Sequence, residues 1–136
     1  MADLVPAAGS ITWLSGPRET RTAGEAFAAG ASVFIDTSNS NKMMKSDSNA
    51  SGKKDSRGIA LDPSTGDGDS VQVALSGSRI NLGVTLGVGT IYMASETPGG
   101  IQPSADFGSG EDLILLGAGE TAAIFAVHIW VPGITK

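Results

Sequence analysis

The chain has 136 residues, no cysteine, 17% charged residues and a formal net charge of −5. That excludes a disulfide framework and a thiolate metal centre, and no run reaches the roughly 18 apolar residues of a membrane-spanning helix. Nineteen glycines and a charge content below the roughly 25% of an ordinary domain point to short strands and frequent turns, because glycine weakens helices and opens turns.

The first residues, MADLVPAAGS, show neither a basic region nor a long apolar stretch, so no secretory leader is expected and synthesis in a cytoplasm is. Pro6 and Pro17 bracket Ile11-Thr12-Trp13-Leu14, and residues 1–17 read as an N-terminal arm ahead of a single β domain over 18–136. A tryptophan in such an arm must bury its ring on its own domain or on a neighbour. Glu25-Ala26-Phe27 is a short strand candidate, and residues 31–36, with Val33, Phe34 and Ile35, read as a firm strand. A polar turn over 37–41 leads to Lys42-Met43-Met44-Lys45, the returning limb of a hairpin. Residues 46–56, SDSNASGKKDS, form a polar loop or short exposed helix.

Residues 57–61 resume an apolar strand, and DPSTGDGDS over 62–70 is dense in turn formers. Val71, Val73 and Leu75 alternate with period two, and residues 79–82 alternate again. Residues 90–94 form a further strand, 96–100 a turn, and Pro103 with the glycines of 107–110 an irregular excursion. Residues 112–116 and 121–131 are the last two strands. With turns at this spacing and no apolar face of helical period, the expected fold is all-β, a compact antiparallel sandwich or barrel.

Gly117-Ala118-Gly119-Glu120-Thr121-Ala122 follows an apolar run and imitates a dinucleotide-binding fingerprint. That fold needs a helix after the glycines and an acidic residue about 20 positions on. Here the following residues, AIFAVHIW, are strand formers, and the sequence given runs only to Lys136. The glycines are therefore expected to make a turn between two antiparallel strands. Asp62, Asp67 and Asp69 fail the calcium-loop offsets, since the twelfth position falls on Val73 or Ser78. Gly52-Lys53 fails as a phosphate loop, because the first glycine would fall on Asp47. His128 is expected to be half-buried and structural. No cofactor, metal or catalytic group is assigned, and no enzyme is expected.

Seven of the nine basic side chains lie in residues 1–57, and eight acids face only Arg79 and Lys136 after that. Such a C-terminal part repels nucleic acid and anionic membrane, so neither is an expected partner. Lys42, Lys45, Lys53, Lys54 and Arg57 form one basic run, without aromatic residues to stack bases.

Thr22-Ala23-Gly24-Glu25, then Ala29-Gly30 before Val33-Phe34-Ile35-Asp36, opens an order of strand-and-turn phrases. Arg57-Gly58-Ile59-Ala60-Leu61 and Val71-Gln72-Val73 follow, then Leu86-Gly87-Val88-Gly89-Thr90-Ile91-Tyr92-Met93-Ala94-Ser95 with Thr97-Pro98-Gly99-Gly100-Ile101. Over residues 20–105 this resembles the capsid decoration (cement) proteins of tailed bacteriophages. The closing segment, Leu113 to Gly117 and the strand ending His128-Ile129-Trp130, departs from their pattern. The resemblance implies a non-enzymatic β domain on the outer surface of an icosahedral head, homotrimeric at local three-folds, that stabilises contacts between major capsid protein subunits. On that expectation Trp13, Leu14, Lys42, Lys45, Lys53, Lys54 and Arg57 are candidates for capsid contact. Phe125, Ile129 and Trp130 are candidates for the core or the trimer interface. The alternative is a head-fibre or tail-associated module that recognises host-surface glycans.

Overall fold

The computed structural model describes residues 3–136, so positions 1 and 2 of the expected arm lie outside the described residues. Eleven strands run in the order β1 (Thr12–Ser15), β2 (Arg18–Thr22), β3 (Ser32–Asp36), β4 (Lys42–Lys45), β5 (Ser56–Ala60), β6 (Ser70–Ala74), β7 (Arg79–Asn81), β8 (Ile91–Ala94), β9 (Ile101–Pro103), β10 (Leu115–Gly119) and β11 (Phe125–Trp130). They form a six-stranded sheet in the order β1-β7-β11-β10-β8-β9 and a five-stranded sheet in the order β2-β6-β5-β3-β4. Every strand pair is antiparallel. The fold is all-β, two open sheets sharing a core in the manner of a sandwich, without barrel closure.

Strand alternation divides the apolar residues between two cores. On β5 and β6, Ile59 and Ala74 stand opposite each other and join Ile80, Leu82, Tyr92, Leu116, Phe125 and Val127 between the sheets. Their neighbours Ala60 and Val73 point the other way, into a second cluster with Val33, Met43 and Val71. Ala23, Phe27 and Ala31, from the segment between β2 and β3, lie in that second cluster. The five-stranded sheet is therefore apolar on both faces, which is why residues 71–75 and 57–61 read so clearly as strands.

Several expectations require correction. The segment before residue 18 is not a free arm: Thr12 to Ser15 pair with β7, Leu4 donates its N–H to the Ile101 carbonyl, and Ala7 donates to Leu82. The backbone polar groups of that stretch find sheet partners, and the Trp13 ring packs on the interlayer core. Gly16 then carries the chain from one sheet to the other at φ +94°, where a Cβ would stand 2.5 Å from Ser78 Cα. Residues 25–27 make no strand. Phe27 forms only an isolated bridge with Ser64, because its ring turns into the second cluster.

The glycines of the 117–122 motif are not a turn. They lie within β10, and the hairpin reverses over residues 120–124. A register shift between Leu115 and Gly117 presses the strand against β11, where a Cβ at Gly117 would meet the Ala126 carbonyl at 2.1 Å. The glycines are there for backbone approach. Pro103, expected in an irregular excursion, closes strand β9 at a sheet edge, where its missing N–H costs no ladder bond.

Phe125 is fully buried and meets Tyr92 with ring centroids 5.8 Å apart, whereas Trp130 on the same strand is 53% exposed. Phe125→Ala should cost about 3–5 kcal/mol in urea unfolding, and Trp130→Ala less than about 1 kcal/mol. Equal losses would contradict the assignment of these two rings to opposite faces.

Candidate functional site

The sequence-selected cations do not gather into one patch. Lys42 pairs with Asp67 at 2.6 Å and Lys45 with Glu25 at 3.8 Å, both from edge strand β4. Lys54 pairs with Asp112 at 3.1 Å. Arg57 reaches the opposite edge of the same sheet, where its Nε donates to Glu19 on β2 at 3.0 Å. Among the described residues, Lys53 is the one member of the run whose ammonium meets no carboxylate. Each pair is exposed enough for solvent to screen most of its attraction.

Trp13 is half-buried against the interlayer core, with the Arg18 guanidinium stacked 3.9 Å from its ring centroid. Its Nε1 is buried without an acceptor. Leu14 projects into solvent at 46% exposure. Phe125 is core, Ile129 packs partly on that core, and Trp130 belongs to the outer face of the six-stranded sheet.

Part of that outer face presents exposed apolar side chains. Ile91, Ala118 and Ala126 stand side by side across β8, β10 and β11, and Leu115 lies between Trp130 and Met93 in the next row. Ile91 and Trp130 are exposed, and the alanines between them keep the relief low. The Arg79–Glu120 ion pair, at 2.7 Å, stands where the first row continues onto β7. A groove of about 640 Å³ opens next to Ile91, lined by Leu4, Thr90, Tyr92, Pro103 and Ala105. Of this face, only Trp130 stands out in the sequence as a candidate. The alternation of Ala126, His128 and Trp130 against Phe125 and Val127 was the available signal.

The chemically richest groups serve the fold. Glu111, only 3% exposed, accepts from Ser48 Oγ at 2.6 Å, Gln102 Nε2 at 2.8 Å and the Gly108 N–H at 2.6 Å. This knot holds Ser48, while Ser46 is tied to Ser32, Gly99 and Ser56 and Asp47 to Lys53, so the first part of the expected polar loop is buried. His128 is exposed, not half-buried, because its strand phase points outward. The aspartates of 62–69 are each engaged locally: Asp62 accepts from the Gln72 N–H, Asp67 pairs with Lys42, and Asp69 accepts from the N–H and hydroxyl of Thr65. No group of three or more potential metal ligands occurs among the described residues. No described helix is long and apolar enough to cross a membrane. No protein-family model matches the chain, and no curated protein matches it significantly.

Three carboxyls sit below their ordinary values. The hydrogen bonds from Arg57 lower Glu19, those from the Thr65 backbone and side chain lower Asp69, and those from Thr135 and Lys54 lower Asp112. A lowered folded pKa means that the unfolded chain binds more protons in acid. This stabilisation is complete above the reference values of 4.5 and 3.8 and is lost as pH falls through the folded values. The urea midpoint should therefore stay level from pH 7 to about 5 and drop below about pH 4, and Asp69→Asn should flatten part of that drop. A midpoint that rises on acidification would contradict the pairing.

Removing the buried acceptor is expected to cost more than losing any of these surface pairs. Glu111→Leu leaves the Ser48, Gln102 and Gly108 donors unpaired and should destabilise by at least about 2 kcal/mol. A loss below about 0.5 kcal/mol would show that the knot carries no stability.

Proposed function

We propose that this protein is a non-enzymatic capsid decoration protein, which binds the outer surface of an assembled bacteriophage head as a homotrimer and strengthens contacts between major capsid protein subunits. The observation that carries the reading is the apolar outer face of the six-stranded sheet, where Ile91, Leu115, Ala118, Ala126 and Trp130 lie outside both cores. Adhesion suits such a face, since burying it on a partner recovers hydrophobic free energy. The phrase order over residues 20–105 supplies the identity of the partner.

On this reading Trp130, an anchor-type residue, contributes to the three-fold contact, with Ile129 behind it. Leu14 and the turn carrying Lys53 reach the shell. A ligand that binds only the assembled lattice stabilises it by linkage, and three-fold placement multiplies weak contacts through avidity. Trp130's exposed ring also favours one second reading, a head-fibre or tail-associated module that stacks on a host glycan. A glycan array tests that reading, and silence there removes it.

Purified protein mixed with heads that lack it should co-sediment and raise the shell melting temperature. Leu14→Ser with Lys53→Glu should weaken attachment by about tenfold or more, for a loss of about 1.4 kcal/mol per decade. Failure to co-sediment would contradict the proposal.

A further inference from the structure

Met93 on β8 and Gln102 on β9 stand opposite each other. Their strand neighbours Tyr92, Ala94 and Ile101 belong to the interlayer core, whereas Met93 and Gln102 belong to neither core. Strand alternation therefore puts both on the outer face of the six-stranded sheet, in the row that runs from Trp130 through Leu115. Trp130 is 53% exposed, yet Met93 and Gln102 are only 2% and 4% exposed. Segment 104–113, which follows β9, lies over this corner of the face, with the Glu111 carboxylate accepting from the Gln102 amide at 2.8 Å.

That segment is held by polar contacts. Among the described residues, no side chain from 104–113 packs in either core cluster. Glu111 accepts from Ser48 Oγ, Gln102 Nε2 and the Gly108 N–H, all three neutral. Desolvation of such a carboxylate offsets much of what those bonds contribute, and lifting the segment returns the charge to water. Residues 134–136 fasten the segment from outside. Leu113 donates its N–H to the Ile134 carbonyl at 2.7 Å, Lys136 donates to Glu111 at 2.9 Å, and Gly110 donates to Lys136 at 3.1 Å. The Thr135 hydroxyl donates to Asp112, and Lys136 Nζ to the Phe107 carbonyl. All three residues of this strap are exposed, Ile134 at 54%, so the strap buries little apolar surface. Gly110 at φ +86° and Gly133 at φ +79°, each with open space where a Cβ would stand, give both segments room to turn.

We infer that residues 104–113 are a lid on the outer face, latched by Glu111 and strapped by residues 134–136, which opens as a unit while both cores stay folded. With the lid closed, the exposed apolar row ends at Leu115. With the lid open, that row runs on to Met93 and the apolar face widens toward the β9 edge. The lid thereby withholds part of the apolar area until a partner covers it, and limits self-association of the free chain. As a regulator of the face proposed above for adhesion, it rests on that reading. The opening itself belongs to the chain alone and is measured without heads, so its failure is distinct from failure of shell binding.

Hydrogen peroxide treatment of the full chain, with mass spectrometry of each methionine, reads the opening directly. Met93 reports on the lid, and Met43, fully buried in the second core, reports on unfolding. Met93 should oxidise about tenfold or more faster than Met43, because local opening is more frequent than loss of a core. Thr135→Val with Lys136→Pro deprives the strap of a hydroxyl and an N–H donor. That change should raise the Met93 rate about fivefold or more and leave Met43 unchanged. Asp112→Cys with Thr135→Cys, at facing positions of lid and strap, closes the lid with a disulfide. Hydrogen exchange of the Gly108 N–H should then be about tenfold or more slower than in the reduced form of the same chain. Equal oxidation of Met93 and Met43, a Met93 rate unmoved by the loosened strap, or Gly108 exchange indifferent to the disulfide would overturn the inference.

Discussion

The alternation of β5 and β6 is the constraint on which the rest depends. Ile59 and Ala74 must face the six-stranded sheet while Ala60 and Val73 face away. A slip of one residue in either strand would exchange the two sets. Because both sets are apolar, the sheet needs cover on both sides, and the segment from Ala23 to Ala31 supplies the second. The five-stranded layer thus becomes the interior layer of the molecule, and its partner sheet keeps part of one face, around Ile91 and Trp130, in solvent.

Surface character follows from that division. On the outer face of the six-stranded sheet Met93 and Gln102 are buried within the chain, whereas Ile91 and Trp130 remain exposed. Charges are mostly spent in pairs: Lys42 on Asp67, Lys54 on Asp112, Arg57 on Glu19, Arg79 on Glu120. The buried carboxylate of Glu111 is held by neutral donors and ties Ser48 to the segment before β10. What such a molecule offers to a partner is shape and apolar area, and the proposed adhesion to a shell would draw on those means.

Much of the fold was legible in the sequence, and the failures have physical causes. Val71, Val73 and Leu75 marked β6, and the polar turn 37–41 between two apolar limbs marked the β3–β4 hairpin. Gly117 and Gly119 were misread because the same residue that permits a turn also permits one backbone to press on another, and only the pairing tells them apart. Ser46 to Ser48 look like solvent loop in any window of sequence; their burial depends on distant partners, Gly99 for Ser46 and Glu111 for Ser48. Trp130 was legible as an anchor, but its neighbours Ile91 and Leu115 became one surface with it only through strand order. The basic run was legible as charge, whereas its dispersal over two sheet edges depended on which acid each cation meets.

Cryo-electron microscopy of intact virus particles, isolated with their full protein complement, tests the central claim most directly. The claim predicts density for two stacked sheets on the outside of the head, grouped about local three-fold axes and bridging neighbouring capsid subunits. Particles whose outer surface carries no such density would contradict it.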